Sequence, residues 1–558
     1  MRIFIEQTDE RTLSRWEQVN WGQVTTNVRR LQERIYRATE HREWKKVRSL
    51  QKLLVRATSN KLLAIRQVTQ ENQGQHTPGV DGRVYDTPEA RTALSHEKLS
   101  LHDYHPKPVR RVYVPKADGK KMRPLGIPTV KDRVMQAIVK AALEPEWEAR
   151  FEANSYGFRP GRCCMDAIEQ IHTTLSQEGS SAWILDADIR GCFDNIAHAP
   201  LLAKIPVFDI PIRRWLKAGV VELGHYTDTE TGTPQGGVIS PLLANIALDG
   251  MERLFGCETP DSQPIRPSRR KGQNKGISLC RYADDFVVIA PTREVLEEEV
   301  IPRLNQFLAE HGLTLSEAKT RIVQRDEGFN FLGFTIRRYG HTLLTHPQKE
   351  KVQRHLQNVK ALLDAHKQMP VEPIIKLLNP LIRGWANYYR HSAAKDTYTS
   401  LAHRYWQMLW QWAKRRHPNK SSTWVRQRYF KSQGNRNWVF GTDTATLLNP
   451  IDIPITRHVK VSGRNSPYNP VLRAYWTKRT KRAVGRQTHS RLKLQVLQAQ
   501  DYRCGQCGIL FQPDEDIDLH HRVPRAKGGS DGAENRVAVH PYCHHQHHQR
   551  HGYKVLKA

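Results

Sequence analysis

The chain has 558 residues, 38% of them hydrophobic, which is enough apolar material for several packed domains of about 150 residues each. Its 87 Lys and Arg stand against 56 Asp and Glu, a net charge of +31, and a surplus of that size points to a polyanion, nucleic acid before an anionic membrane surface. No apolar run approaches the roughly 18 residues of a membrane span, and Met1-Arg2-Ile3-Phe4-Ile5-Glu6 lacks the apolar core of a signal peptide, so a soluble protein of the cytoplasm or an organelle, with no membrane partner, is expected.

Residues 1–75 read as helices. Val28, Leu31 and Ile35 share one face, as do Trp44, Val47, Leu50 and Leu54, while Arg29, Arg30, Lys45 and Lys46 fill other positions and are candidates for RNA contact. A turn-rich junction at 77–82 leads to Val112-Tyr113-Val114-Pro115-Lys116 and Met122-Arg123-Pro124-Leu125-Gly126-Ile127-Pro128, a β-hairpin with Lys116 and Arg123 on its arms, suited to lie over a triphosphate. Helix, the Gly/Pro loop Asn154 to Arg162, and a second helix follow. Ala182 to Ile189 then reads as an apolar strand ending in Asp186 and Asp188, and Gly191 to Ile196 as a turn into a helix.

Gly232-Thr233-Pro234-Gln235-Gly236-Gly237 is a Gly-rich turn where backbone can approach a flat ligand and Gln235 offers an amide. After a basic, Pro-rich insertion at 258–276 comes Arg281-Tyr282-Ala283-Asp284-Asp285-Phe286-Val287-Val288-Ile289-Ala290. Two adjacent carboxylates at a strand edge repel each other unless a cation sits between them. Two strands can bring Asp284, Asp285 and an acid from near 188 together, a geometry suited to two-metal phosphoryl transfer.

The ordered series Arg123 to Pro128, Asp188 to Phe193, Pro234-Gln235-Gly236, Tyr282-Ala283-Asp284-Asp285, Glu317-Ala318-Lys319-Thr320 and Phe331-Leu332-Gly333 resembles the blocks of a reverse transcriptase, and more narrowly that of the proteins encoded by mobile group II introns. The resemblance implies a right-hand polymerase with an antiparallel palm sheet over 76–345. Asp188 and Asp284 would be the principal Mg²⁺ ligands, with Asp285 third and Ile189 beside them. Lys116, Arg123 and Lys319 would meet the dNTP triphosphate, Phe193 would crowd the sugar 2′ position, and Gln235 and Ile189 would line the nucleotide. Asp186 and Asp194 are set aside, the first as too early in the block and the second as a turn residue.

Three helical stripes over 346–416 then look like a thumb. Leu378-Asn379-Pro380-Leu381-Ile382-Arg383-Gly384-Trp385-Ala386-Asn387-Tyr388-Tyr389-Arg390 resembles the maturase region of the same family, with Arg383 and Arg390 as RNA-contact candidates. Residues 401–500 hold 20 Lys and Arg against two acids, so 417–485 reads as a basic segment that binds a nucleic-acid backbone, DNA in family terms.

Of eight cysteines, those at 163, 164, 192, 257 and 280 look like ordinary buried thiols, while three lie in a His-rich tail. Cys504, Cys507, His540 and Cys543 have the spacing of a tetrahedral Zn²⁺ site. Residues 486–558 resemble an HNH endonuclease, two strands and a helix around one Mg²⁺ or Mn²⁺. That resemblance makes His521 the general base, Asn535 its orienting group, and His520, His544 and His548 the metal ligands, with His545 and His547 set aside. The whole implies a multidomain α+β protein acting on group II intron RNA, target duplex DNA and dNTPs. Two other readings compete. One is a host reverse transcriptase for defence or diversification, against which the maturase string and HNH region argue. The other is a non-catalytic splicing factor, against which the intact Asp188, Asp284 and Asp285 argue.

Overall fold

A computed structural model describes residues 15–115, 122–176, 183–256, 276–487, 490–513 and 515–551. Lys116 lies outside the described residues, as do the first 14 positions and Cys257.

The N-terminal stripes form helices Trp21–Glu40, Trp44–Arg56 and Thr58–Arg66. Val28, Ile35, Val47, Leu50 and Leu54 pack into one core with helix Val130–Arg150, whereas Trp44 lies at the start of its helix and stays 43% exposed. The expected hairpin is β1 (Val109–Pro115) against β2 (Met122–Ile127), antiparallel with Pro115 opposite Met122.

Strand β3 (Trp183–Asp188) comes next, followed by the short strands β4 (Val220–Glu222) and β5 (His225–Thr227), which extend the first hairpin in the order β2-β1-β4-β5. Strands β6 (Ser278–Tyr282), β7 (Asp285–Ala290) and β8 (Arg321–Gln324) join β3 in a second sheet, order β6-β7-β3-β8, antiparallel throughout. Its apolar runs are continuous because both faces are buried. Leu185, Ala187, Phe286, Val288 and Ala290 face the core shared with the N-terminal helices. Ile184, Cys280, Val287 and Ile289 face helix Cys164–Leu175 on the other side.

Strands β9 (Phe329–Phe331), β10 (Phe334–Tyr339) and β11 (Thr342–Pro347) form an antiparallel meander. Leu332 (φ 47°) and Gly333 (φ 82°) make its two-residue turn, which needs positive φ at both positions. The end of helix Val371–Tyr389 grips that turn: the Tyr388 hydroxyl donates to the Leu332 carbonyl at 2.8 Å and the Tyr389 hydroxyl to the Gly333 carbonyl at 3.2 Å. Helices Lys349–Ala365, Val371–Tyr389 and Lys395–Arg416 share a core of Val359, Leu363, Ile374, Leu378, Ile382, Leu401, Tyr405 and Trp412.

The structure divides the stretch expected as one basic segment, 417–485. Helix Ser422–Tyr429 and the hairpin β12 (Phe430–Gln433) with β13 (Arg436–Phe440) bury Val425, Tyr429, Phe430 and Phe440 in the same core as the three helices. Residues 453–476 then run back as a strap over the earlier domains. Val461 N–H and His458 Nε2 bond Asp166 at 2.8 and 2.9 Å, Arg162 donates to the Gly463 carbonyl at 2.8 Å, and Arg473 pairs with Glu33 on the first helix. Trp476 packs so closely on Gly161 that a Cβ there would come within 2.6 Å of its ring. Much of the strap's basic excess is thus spent within the molecule. Helix Arg473–Arg486 continues it.

Helix Arg491–Ala499, β14 (Asp518–His521), β15 (Arg536–Val539) and helix Pro541–His551 form the last unit, around a core of Leu497, Phe511, Val539 and Cys543. It docks on the N-terminal helices. Arg66 is sandwiched between Trp21 and Tyr542, 4.6 and 4.4 Å from the ring centroids, and Gln546 Nε2 donates to the Glu17 carbonyl at 2.6 Å. A Cβ on Gly22 would lie 2.8 Å from the Cys507 carbonyl. No described helix is long and apolar enough to cross a membrane.

A desolvated guanidinium between two rings is worth about 1–2 kcal/mol. Arg66→Ala is therefore expected to raise amide exchange along helix Pro541–His551 without changing it in the β3–β7 sheet, as hydrogen-exchange mass spectrometry would report; unchanged exchange in that helix would show the docking rests elsewhere.

Candidate functional site

Asp188 ends β3 directly opposite Asp285, which starts β7, and Asp284 occupies the turn between β6 and β7. Chain pairing alone therefore brings the three carboxylates together. Ala283 turns the hairpin at φ 59°, a left-handed conformation that costs a non-glycine residue energy and persists only where the surroundings hold it. A brace supplies that hold. Arg281, fully buried, donates to the Ala283 carbonyl at 3.2 Å and to Asn245 Oδ1 at 3.1 Å, and Asn245 Nδ2 donates to the Gly157 carbonyl at 2.8 Å. Gly157 lies against the Ala283 backbone with no room for a Cβ, and Tyr156 N–H bonds the Arg281 carbonyl at 2.9 Å.

Burial first, and then the charge of Asp188, push the Asp284 carboxyl above its ordinary 3.8, with Lys319 and Arg123 opposing. The Asp285 carboxyl is pushed up as well, by burial, by its hydrogen bond with Asp188 and by Asp284. Lys319 Nζ sits 2.6 Å from Asp188 Oδ2. Burial works against its charge, but the three carboxylates outweigh that and hold it above the usual lysine value. Lys319 reaches the site because Ser316 N–H bonds the Asp188 carbonyl at 2.8 Å, tying 314–316 to the end of β3. Three neighbouring carboxylates that already hold one cation are a fitting place for divalent metal. Asp186 instead pairs with Arg321 on β8 at 3.0 Å.

Around this centre, Ile189 buries its side chain, so only its main chain can serve the site. Phe193 meets Phe158 edge to face at 6.1 Å between centroids. The Gln235 carbonyl accepts from Gly126 N–H at 2.7 Å, joining the Gly-rich turn to β2, and Gly236 (φ 128°) leaves no space for a Cβ against the Gly126 carbonyl. Arg123 is exposed on β2.

In the last unit the ligand atoms of Cys504, Cys507, His540 and Cys543 lie within 4.8 Å of one another, as do those of His520, His544 and His548. Hydrogen bonds from Cys507 and Cys543 drive the Cys504 thiol far below its ordinary value. His540 Nδ1 faces Cys507 Sγ at 3.4 Å, with Glu515 3.4 Å from its Nε2. His544 Nε2 is 2.9 Å from His520 Nδ1 and 3.0 Å from His548 Nε2, while its Nδ1 is held by Asp518 at 2.9 Å. Burial and the neighbouring imidazoles lower His520 to about 4, leaving its lone pair for a cation. Asp518 and Glu515 are outer partners of the kind that orient metal-bound histidines. Asp518 was legible in principle, two residues before His520 on one strand face.

Three expectations need correction. Asn535 does not orient His521: its amide bonds Val523 N–H and C=O and the Ser530 carbonyl at 2.7–2.9 Å, and the group on His521 Nε2 is Asp531 Oδ1, at 2.8 Å. Arg390 is buried and donates to the Arg486 carbonyl, so it faces no RNA. Cys163 is exposed. Its thiol, Asp166 and His458 also cluster, but Arg479 and Val461 N–H complete the Asp166 carboxylate, and the trio clamps the strap without needing a metal. Arg29, Arg30, Lys45 and Lys46 are exposed and Arg383 half-buried. Lys360, Lys367, Arg404, Arg415 and Arg416 line a groove of about 820 Å³ between helices Lys349–Ala365 and Lys395–Arg416.

Residues 114–336 match the family model for reverse transcriptase (RNA-dependent DNA polymerase), 16–98 the N-terminal domain of reverse transcriptase, 352–430 the group II intron maturase-specific domain and 504–550 the HNH endonuclease. Protein YkfC of Escherichia coli is 35% identical over 351 residues, 56% of this chain and 91% of that protein. The group II intron-encoded protein LtrA of Lactococcus lactis is 31% identical over 406 residues, 57% of this chain and 66% of that protein. Maturase-like protein 1 of Euglena longa is 25% identical over 397 residues, 69% of this chain and 80% of that protein.

A carboxyl whose folded-state pKa is raised favours the fold at pH below its unfolded value, and that gain is lost as pH rises through the folded value; ionised Asp284 and Asp285 therefore cost stability at neutral pH. Asp284→Asn should therefore raise the melting temperature of the cation-free protein at pH 8 and abolish most of the added stability that divalent cations give wild type. A calorimetric scan with and without cation at pH 5 and pH 8 checks this; a lower melting temperature for the variant contradicts it.

Proposed function

This chain belongs to the family of group II intron-encoded proteins that join a reverse transcriptase, a maturase-specific domain and an HNH endonuclease, and from that premise we propose how its residues divide the work. Residues 76–345 form the fingers and palm of a right-hand RNA-directed DNA polymerase. Asp188, Asp284 and Asp285, with the Ile189 main chain beside them, hold two Mg²⁺. Bound there, the metals supply positive charge to the primer hydroxyl and to the departing pyrophosphate. Lys319, Arg123 and Lys116 bind the dNTP triphosphate, Gln235 lines the base, and Phe193 stands where a ribose 2′-hydroxyl would go. The observation that carries this reading is the Asp188–Asp285 strand pairing with Asp284 in the adjoining turn.

The helices of 346–416 act as thumb and maturase domain. With Arg383 and with Arg29, Arg30, Lys45 and Lys46 of the 1–75 extension, they hold intron RNA in a ribonucleoprotein, and the RNA itself does the splicing chemistry. Residues 417–485 contribute the remaining contacts to target duplex DNA. Residues 486–558 are a ββα nuclease in which Cys504, Cys507, His540 and Cys543 hold structural Zn²⁺. His520, His544 and His548 hold one Mg²⁺ or Mn²⁺, and His521 takes the proton from the attacking water. The nick leaves a 3′ hydroxyl that primes copying of the intron. A bacterial cytoplasm or an organelle suits this cycle.

Protein, flanking intron RNA and duplex target incubated together, with spliced RNA, nicked strand and cDNA scored separately, test the division of labour. Asp284→Ala should lower DNA synthesis by at least about 10³-fold and leave splicing within about twofold, since only the polymerase needs that carboxylate. His521→Ala should abolish nicking and leave extension of an annealed primer intact. Joint loss of synthesis and splicing in a folded Asp284→Ala protein, or nicking by His521→Ala, refutes the respective assignment.

A further inference from the structure

The loop between β14 and β15 carries a charged cluster that the metal centre does not use. Asp531 Oδ1 lies 2.8 Å from His521 Nε2. The same carboxylate receives Arg525 Nε and Nη2 at 2.9 and 2.7 Å and Arg536 Nη2 at 2.7 Å. Arg536 is the β15 residue directly opposite His521 on β14, so the strand pairing itself sets the distance. Asn535 staples the loop's two ends, with Val523 N–H to its Oδ1 and its Nδ2 to the Ser530 carbonyl. The loop is thereby rigid, and Asp531 is held from three sides.

A carboxylate only accepts hydrogen bonds, so the Nε2 facing it is the donor, and Nδ1 is the ring nitrogen left to take up a proton. We propose that Asp531 is a positioning residue of the nuclease: it fixes the ring orientation and tautomer of His521 so that Nδ1 is the nitrogen that takes the proton from water. This rests on the assignment of His521 as general base. The two arginines pin both carboxylate oxygens and hold Asp531 against His521. Asp531 is itself 57% exposed, and an exposed ion pair adds little stability. The loss on substitution should therefore appear in catalysis and not in folding.

The test uses the full-length ribonucleoprotein and a labelled duplex target. Asp531→Asn should lower kcat for nicking about 10–100-fold at unchanged KM, the usual range for an outer partner of a catalytic group. Asp531→Glu should recover part of that loss, and Arg525→Ala, which leaves Arg536 on Asp531 Oδ1, should cost less than Asp531→Asn. Nitrogen-15 spectra of histidine-labelled protein should show His521 protonated on Nε2 in wild type and a tautomer mixture in Asp531→Asn. Nicking by Asp531→Asn within threefold of wild type overturns the proposal. So does a loss accompanied by release of zinc, since that marks a merely structural loop. Failure of the underlying assignment is a separate result, namely nicking by His521→Ala.

Discussion

Like charge held close is the constraint on which the central sheet depends. Strand pairing sets Asp188 opposite Asp285 and leaves Asp284 in the adjoining turn, and burial raises the cost of ionising Asp284 and Asp285. Their surroundings limit that cost. Both faces of the sheet are buried, so the strands do not slip; a one-residue slip would send the apolar set of each strand to the wrong core. The brace through Arg281, Asn245 and Gly157 holds Ala283 in a conformation it would not choose, and Lys319 keeps a positive charge in place. The site is a strained arrangement held by its neighbours.

The sequence made these acids legible because their chemistry is local: two adjacent aspartates before an apolar run have few uses. The metal-type clusters were legible for the same reason, since Cys-x-x-Cys spacing and the helical interval from His544 to His548 are statements about neighbours along the chain. What stayed hidden depends on partners far away. Arg390 reads as an outward arginine until the Arg486 carbonyl, 96 residues on, takes its guanidinium. Phe331-Leu332-Gly333 is recognisable as a block, but its reason is a positive-φ turn held by two tyrosine hydroxyls of a later helix. The HNH resemblance makes Asn535 the orienting group of His521; in the fold the carboxylate on His521 Nε2 is that of Asp531, four residues earlier.

Net charge was the least specific guide. An excess of +31 points toward nucleic acid, but charge counts do not distinguish a surface from an interior clasp. Arg473 on Glu33 and Arg479 on Asp166 turn part of the most basic stretch into fastenings between domains, and Arg436 pairs with Asp452 within it. The basic side chains of Lys360, Lys367 and Arg404 line the groove between helices Lys349–Ala365 and Lys395–Arg416, where Arg415 also pairs with Asp364.

The stacking of Arg66 between Trp21 and Tyr542 also bears on the order in which the molecule is made. The helix that completes this contact is translated about 500 residues after the helix that begins it. During synthesis Trp21 and Arg66 wait with an unfinished apolar and cationic face, and the polymerase folds before that face is closed. A chain stopped short of residue 541 would keep its polymerase core and carry an exposed, adhesive N-terminal patch. The last helix, besides carrying His544 and His548, is the lid that finishes the first domain.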